Sequence, residues 1–339
     1  MIRIISYNIL AGGYNLRAKD SRRTHQLVKI ISSVRPDVVG VVEAQNPKIK
    51  EKPTVLEEIA EILGMQIVYN DELTCCKEYS IALLTRLPIV HTKVHPRPGL
   101  LARPLLEVCV KDGSEGRELT VFLTHLSSAF NCGWAGNHFR QREVEEIMNI
   151  MAPLRAEGKP HLLMGDFNTL SPGDAFKASF LLRYVFGIEA QYAHGQADGH
   201  PYFKAIVHPR LRFLKPVFQT VANSAALSAL FDAAAYFYAP RGPIRTVRKL
   251  YLDCFRYLHP HEWGFTCPAG APAGRIDYIF ASPALAGGLT NCYIVTEGEG
   301  MPADRASDHL PVVAEFDLTV YEEMRTNDLN LFETTKRMG

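Results

Sequence analysis

The sequence predicts an α/β fold in which two mixed β-sheets pack face to face with helices outside. Three observations carry that expectation. Short apolar strands and amphipathic helices alternate through the first half of the chain. Residues 38–42, Val-Val-Gly-Val-Val, form a near-continuous apolar run, as in a strand covered on both faces. Between residues 80 and 124, four strand-like runs follow one another, several joined by short Pro/Gly turns, a spacing that calls for antiparallel pairs.

Taken in order, residues 2–7 read as a strand. Residues 22–34 place Leu27, Ile30, Ile31 and Val34 on one helical face. Residues 38–43 are the second strand. Thr54 with Glu57 three residues later reads as a capping box, opening a helix that ends near Gly64. Strands are predicted at 80–85, 89–94, 105–110 and 119–124. A helix over 140–154 turns Val144, Ile147, Met148 and Met151 inward, and residues 161–165 are a buried strand. Strands at 275–281, 291–295 and 312–318 complete the pattern. From 171 to 263 the chain is loop-rich, aromatic and helical in places. There Gly242-Pro243 starts a helix carrying Ile244, Val247, Leu250, Tyr251, Phe255 and Leu258. This stretch is read as an insertion on one rim of a single domain spanning 1–320, with 321–339 as a C-terminal tail.

The 339 residues are 47% hydrophobic, enough to bury a large core. The formal net charge of +1 does not by itself demand a polyanionic partner. No segment reaches the roughly 18 apolar residues of a membrane span. A strand begins directly after Met1, with no basic, apolar and small-residue sequence of a signal peptide, so a cytoplasmic protein is expected. The seven cysteines are scattered, with Cys75 and Cys76 adjacent and no C-x-x-C pair. They read as free thiols and not as a disulfide frame or zinc site.

The chemistry concentrates at strand ends. Asn8 closes the first strand and Glu43 the second. Hard cations such as Mg²⁺ take oxygen ligands and keep several waters, so one or two carboxylates suffice. Asp166 and Asn168 follow the strand at 161–165; such a carboxylate can orient or deprotonate a water, and Asn168 can donate to a phosphoryl oxygen. An Asx-turn leaving the strand is the plainer account of the same residues. His125 ends the strand at 119–124, and His309 follows Asp308. Imidazolium groups can stabilise a phosphorane-like transition state or protonate a leaving oxygen. Each needs a carboxylate behind it. Asp277 is the candidate for His309. Glu78 is the candidate for His125, and a solvated charge at a strand entrance is an equal reading of it. Strands that repeatedly deliver Asn, Glu, His and Asp at their ends describe a site for metal-assisted phosphoester hydrolysis.

Six segments in order carry a family resemblance: residues 6–10 (Ser-Tyr-Asn-Ile-Leu), 36–43 (Pro-Asp-Val-Val-Gly-Val-Val-Glu), Thr124-His125-Leu126, Gly165-Asp166-Phe167-Asn168-Thr169, 275–280 (Arg-Ile-Asp-Tyr-Ile-Phe) and Ser307-Asp308-His309-Leu310-Pro311. Together they resemble the endonuclease/exonuclease/phosphatase superfamily over nearly the whole chain except the insertion. The resemblance implies a four-layered α/β sandwich with one Mg²⁺-dependent hydrolytic site, Mn²⁺ being an alternative ion. By family roles, Glu43 ligates the metal with Asn8 beside it, and Asp308 lies near metal and water. Asp166 aligns the nucleophilic water, helped by Asn168. His125 and His309 contact the scissile phosphate, Asp277 buttresses His309, and Glu78 pairs with His125, as in deoxyribonuclease I-like members. Val42 stands where the family often has Gln. His125 stands where exonuclease III-type apurinic-site enzymes have Tyr, which turns the expectation toward the branch with deoxyribonuclease I, neutral sphingomyelinases, deadenylases and inositol-polyphosphate phosphatases.

The implied activity is a phosphodiesterase, with a nuclease ranked ahead of a lipid or small-molecule phosphodiesterase or phosphatase. A non-catalytic binding module on the same fold is the rival from another class. From Lys204 to Arg256 nine basic residues face two acids, with aromatics interleaved. That mix fits nucleic acid, an anionic membrane surface, or a helix with a solvated basic face. Arg245, Arg248 and Lys249 are the candidate substrate contacts, with Trp134 at the entrance or packed in its loop. No obligate protein partner is inferred.

Overall fold

Fourteen strands and ten α-helices are built from these patterns in the computed structural model, which describes residues 1–14, 22–44, 53–70, 80–112, 116–191 and 203–320. In chain order the strands are β1 (Ile2–Asn8), β2 (Val38–Val42), β3 (Gln66–Tyr69), β4 (Ile81–Thr85), β5 (Ile89–His95), β6 (Leu105–Lys111), β7 (Glu118–His125) and β8 (His161–Asp166). Then come β9 (Leu252–Asp253), β10 (Asp277–Ala281), β11 (Leu289–Ile294), β12 (Glu297–Gly298), β13 (Met301–Pro302) and β14 (Val312–Phe316). The helices are α1 (Thr24–Val34), α2 (Val55–Leu63), α3 (Trp134–Ala156), α4 (Ala178–Gln191) and α5 (Phe203–Ile206). They continue with α6 (Lys215–Asn223), α7 (Ala225–Tyr238), α8 (Gly242–Arg248), α9 (Cys254–Leu258) and α10 (Pro283–Ala286).

Two six-stranded sheets run in the orders β11-β14-β1-β2-β4-β3 and β5-β6-β7-β8-β10-β9. Both are mixed, and each contains one parallel pair, β1/β2 in the first and β7/β8 in the second. The period of two along each strand sorts the side chains into layers. Even positions of β1 and β2 (Ile2, Ile4, Val38, Val42) meet Val121, Leu123, Leu162, Met164 and Ile279 of the other sheet in one dry core. The alternate positions Ile5, Tyr7, Val39 and Val41 pack on Leu27, Ile30 and Ile31 of α1 and Ile59 of α2. On the far side Phe122, Leu163 and Phe280 pack on Val144 and Ile147 of α3 and on Ile244 and Val247 of α8. The result is a four-layered α/β sandwich, as expected.

The expected capping box on α2 is present, Thr54 accepting from Glu57 N while Glu57 accepts from Thr54 N. Other elements differ from the sequence expectation. β3 had no counterpart: its four residues start two positions after the αL residue Gly64 that ends α2. The single helix from 242 to 258 is broken. Leu252 and Asp253 pair with Ala281 and Phe280 of β10, and Asp253 then caps α9 by accepting from Arg256 N. Ile244, Val247, Tyr251 and Phe255 are nonetheless buried, because the break divides them between two cores, while Leu250 is exposed. The described residues of 171–263 are mostly helical, and Val185, Phe203 and Val207 form a small core of their own. The 321–339 tail lies outside the described residues. Among those described, no helix is long and apolar enough to cross a membrane. Cys109, Cys132, Cys254, Cys267 and Cys292 are free thiols, while Cys75 and Cys76 lie outside the described residues.

Gly165 is required by close approach. Its φ is +139°, and a Cβ there would lie 1.9 Å from the Thr124 carbonyl oxygen of the adjacent parallel strand. Gly165→Ala is therefore expected to cost more stability than Gly158→Ala, where φ is also positive but open space surrounds the added carbon. Overpacking of this kind costs roughly 1–3 kcal/mol. Urea melts of the two variants give the comparison, and equal losses would show that the β7/β8 contact is not tight.

Candidate active site

The dry inter-sheet rows end in polar side chains. Continuing inward-facing positions by steps of two leads from Ile2 and Ile4 to Asn8, from Val121 and Leu123 to His125, from Leu162 and Met164 to Asp166, and from Ile279 back to Asp277. Register aligns these ends. His125 pairs with Asp166 in the parallel β7/β8 ladder, Asp277 pairs with Asp166 across β8/β10, and Asn8 pairs with Val42, next to Glu43. His309 enters from the segment before β14. Ser307 anchors that segment by donating to the Asn8 carbonyl at 2.6 Å and accepting from His309 N at 3.3 Å.

At the centre Asn8 Nδ2 lies 3.3 Å from Glu43 Oε1, 3.2 Å from Asp166 Oδ2 and 3.5 Å from His309 Nε2. His309 Nδ1 is 2.9 Å from Asp277 Oδ2, and its Nε2 is 3.9 Å from Asp166 Oδ2. His125 Nε2 approaches the same Asp166 oxygen at 3.8 Å. Asn168, in the left-handed region at φ 49°, donates its backbone N–H to Asp166 Oδ1 at 2.8 Å and its side-chain amide to Leu126 O at 2.9 Å. Thus Asn8, Glu43, His125, Asp166, Asn168, Asp277 and His309 come together. Asp308, 5% exposed, is close enough for its charge to act on Glu43.

Burial sets the protonation pattern. Desolvation and the facing Asp277 charge push the Asp166 carboxyl far above its ordinary range. Burial alone would keep His309 neutral, but the Asp277 carboxylate outweighs it and holds the imidazole charged well above its usual range. His125 goes the other way: desolvation, then the charges of Arg103 and His309, push it well down. The two imidazoles, expected to act alike, sit in opposite electrostatic settings among the described residues. Glu78, the expected partner of His125, lies outside the described residues.

A hard divalent cation fits this donor set. Desolvation and then the Asp308 charge push the half-buried Glu43 up, against the Ala11 N–H, the His309 charge and the Asn8 amide, which favour its carboxylate. Glu43 Oε2 accepts from Ala11 N at 2.9 Å, leaving Oε1 toward the centre. The Asn8 amide now donates between two acids while its carbonyl accepts from Leu10 N at 3.0 Å. Asp166, Asp277 and His309 also bring one ligand atom each within 4.8 Å of one another. There the His309 Nδ1 contact to Asp277 is a hydrogen bond at 2.9 Å, while its Nε2 faces Asp166 as a charge at 3.9 Å.

Supports absent from the sequence reading hold the His125 loop. Arg103 donates to the carbonyls of His125 and Leu126 at 3.0 and 2.8 Å. Glu143 accepts from Ala102 N and Ser127 N at 3.0 Å each, and the buried Arg140 donates to Ser127 O at 3.1 Å. Arg140 and Glu143 stand one helical turn before the inward-facing Val144 and Ile147, so their helical phase already put two charges on the core side. Under Asp277, Thr266 Oγ1 accepts from the N–H groups of Ile276 and Asp277 at 3.1 and 3.2 Å. Arg275 forms a bidentate pair with Asp253 at 2.7 Å and donates to Asp174 at 2.8 Å, tying the loop after β8 to β10.

The insertion contributes less free charge than its composition implied. Arg241 and Arg256 are occupied by backbone carbonyls and Asp174, and Lys215 pairs with Glu189. Arg248 donates to Ser171 Oγ and Pro172 O, so it braces the loop beyond Asn168. Arg245 on α8 and Lys249 at its C-cap are exposed. Trp134 is 67% exposed and begins α3, nine residues after His125 in sequence.

The Asp277–His309 contact has a pH signature. The raised pKa of His309 contributes stability fully present below its ordinary value near 6.5 and lost as pH rises through the folded value. Asp277→Asn is expected to remove that contribution and to shift the alkaline limb of kcat/KM to lower pH. Urea melts and rate profiles from pH 6 to 10 check this; unchanged profiles would show that Asp277 does not govern His309.

A family model described as the Endonuclease/Exonuclease/phosphatase family matches residues 5–309. Among solved structures, the chain is similar to an AP endonuclease from Archaeoglobus fulgidus (TM-score 0.55, 15% identity, covering 94% of this chain and 100% of that one). It is also similar to the 3′ phosphatase NExo from Neisseria bound to a product DNA hairpin (0.53, 17%, 94% and 100%). A functionally unknown conserved protein from Enterococcus faecalis aligns too (0.58, 14%, 93% and 99%). At these identities the structural likenesses establish the fold, and the family match covers the strand-end segments from β1 to His309. The chain belongs to the endonuclease/exonuclease/phosphatase family, whose members hydrolyse phosphoester bonds.

Proposed function

We propose that the chain is a divalent-metal-dependent phosphodiesterase that works through an activated water. One observation carries the reading: Asp166 lies within 4 Å of Asn8, His125 and His309, three groups from separate elements. Asp166, raised by burial, takes the proton of the water that attacks phosphorus. Asn168 holds the Asp166 carboxylate in place through its backbone N–H. The charged His309, buttressed by Asp277, stabilises the charge on the phosphoryl oxygens as the ester bond breaks, and His125 lies on the other side of Asp166. Glu43 and Asp308, with Asn8, are the residues to hold Mg²⁺ or Mn²⁺. When bound, such an ion neutralises phosphate charge and lowers the pKa of its water.

The test is turnover of bis-p-nitrophenyl phosphate against p-nitrophenyl phosphate. Chelation should abolish it, and Mg²⁺ or Mn²⁺ should restore it. Asp166→Ala is expected to lower kcat about 10²-fold or more, and Glu43→Gln to raise the metal concentration required. Full turnover in excess EDTA would refute the metal assignment. An active Asp166→Ala protein would refute the role of the acid.

Nucleic acid is the first substrate class, supported by the similar structures that act on DNA and by exposed Arg245 and Lys249. Replacing both with Ala should raise KM for DNA or RNA relative to the aryl diester, and lower the salt slope by up to about two units. Unchanged KM and slope would leave these residues as a solvated helix face. A lipid-borne phosphoester is the second reading, favoured by the exposed apolar face of α7.

A further inference from the structure

We propose that the outer face of α7 docks on the surface of an anionic lipid bilayer. Leu230, Phe237 and Tyr238 are 70%, 83% and 76% exposed, and Leu227 is 40% exposed. Leu227, Leu230, Ala234 and Phe237 recur at one helical phase, so they form a continuous stripe. Ser228 is the only buried residue of the helix. Its single charged residue, Asp232, turns away and accepts from Ser179 N and Oγ at 2.8 and 3.0 Å. The stripe therefore presents carbon to water along a helix that could have been polar there, and a patch of this kind marks a contact surface.

Exposed charge on the same insertion identifies the occupant. Of the eight Lys and Arg at 203–250, Arg212, Arg241 and Arg248 are held by protein oxygens and Lys215 by Glu189, which leaves four cations against the one acid Asp232. Lys204, Arg210, Arg245 and Lys249 are exposed. An apolar helical face on an insertion whose free exposed charge is positive complements the interface of a bilayer, where acyl chains take the side chains and anionic headgroups take the cations. A nucleic acid would need the cations and donors on the contacting face itself, and that face holds Leu, Ala and Phe. The chain leaving α7 also meets the candidate site, because Pro240 O accepts from Thr169 Oγ1, next to Asn168, at 3.1 Å. The docking stands without the reaction. Its use, presenting a lipid phosphoester to Asp166, rests on the hydrolase reading.

Flotation of the full chain with vesicles tests this without turnover. Binding is expected to vesicles with about one phosphatidylserine in three lipids and not to phosphatidylcholine alone, and to weaken with salt. Leu230→Ser with Phe237→Ser should lower the partition coefficient at least about tenfold, with an unchanged thermal melt. If the double variant melts early, Phe237→Ser alone replaces it and should show a severalfold loss. The proposal fails if the wild-type chain ignores anionic vesicles or the variants bind them equally. It fails also if the substitutions abolish only self-association in sedimentation, or only oligonucleotide binding. A negative vesicle result leaves the hydrolase reading standing, and absent hydrolysis leaves the docking standing.

Discussion

Two buried carboxylates, Asp166 and Asp277, stand directly opposite each other in the β8/β10 ladder. Like charges in that position repel, and burial magnifies the cost. The ring of His309 resolves the conflict, with one nitrogen 2.9 Å from Asp277 and the other 3.9 Å from Asp166. Much of the surrounding structure serves to keep that ring in place. Ser307 ties its segment to the end of β1, Thr266 O accepts from Leu310 N, and Thr266 Oγ1 holds the start of β10. The same arrangement sorts the two groups electrostatically: the Asp166 carboxylate binds a proton more tightly than an ordinary acid does, while His309 is held charged.

The sandwich supplies the other constraint. The two parallel strand pairs end at the same edge of the inter-sheet core, one delivering Asn8 and Glu43, the other His125 and Asp166. Gly40 lets the sheets come close, since a Cβ there would lie 2.3 Å from Met164 Cε. Gly165 lets β7 and β8 keep their register up to the final pair. Apolar rows below the site exclude water and give its polar groups few competing partners. Hydrogen bonds and charges there are therefore stronger than at a surface.

Much of this was legible in the residues. Strand runs such as 38–42 and 161–165 have no other good reading, because they are short, apolar and bounded by polar ends. The polar ends themselves lay on the inward phase, two residues beyond Leu123, Met164 and Ile4-Ser6. What stayed hidden depends on partners distant in sequence. β3 is four residues with no turn signal of its own. The break at Leu252-Asp253 is made by pairing with β10 and by Arg275, which local helical spacing does not reveal. The basic count across 204–256 overstated free charge, because Arg241, Arg248 and Arg256 are used to brace loops. Composition registers a charge and not its partner.

The central claim is that these strand ends form one cation-binding, phosphate-cleaving centre. Anomalous diffraction from crystals containing Mn²⁺ and a non-hydrolysable phosphodiester analogue tests it most directly. The account predicts a single strong peak about 2.1 Å from a Glu43 carboxylate oxygen, with Asp308 and Asn8 around it and the phosphoryl group between His125 and His309. A peak remote from Glu43, or an analogue bound away from Asp166, would contradict it.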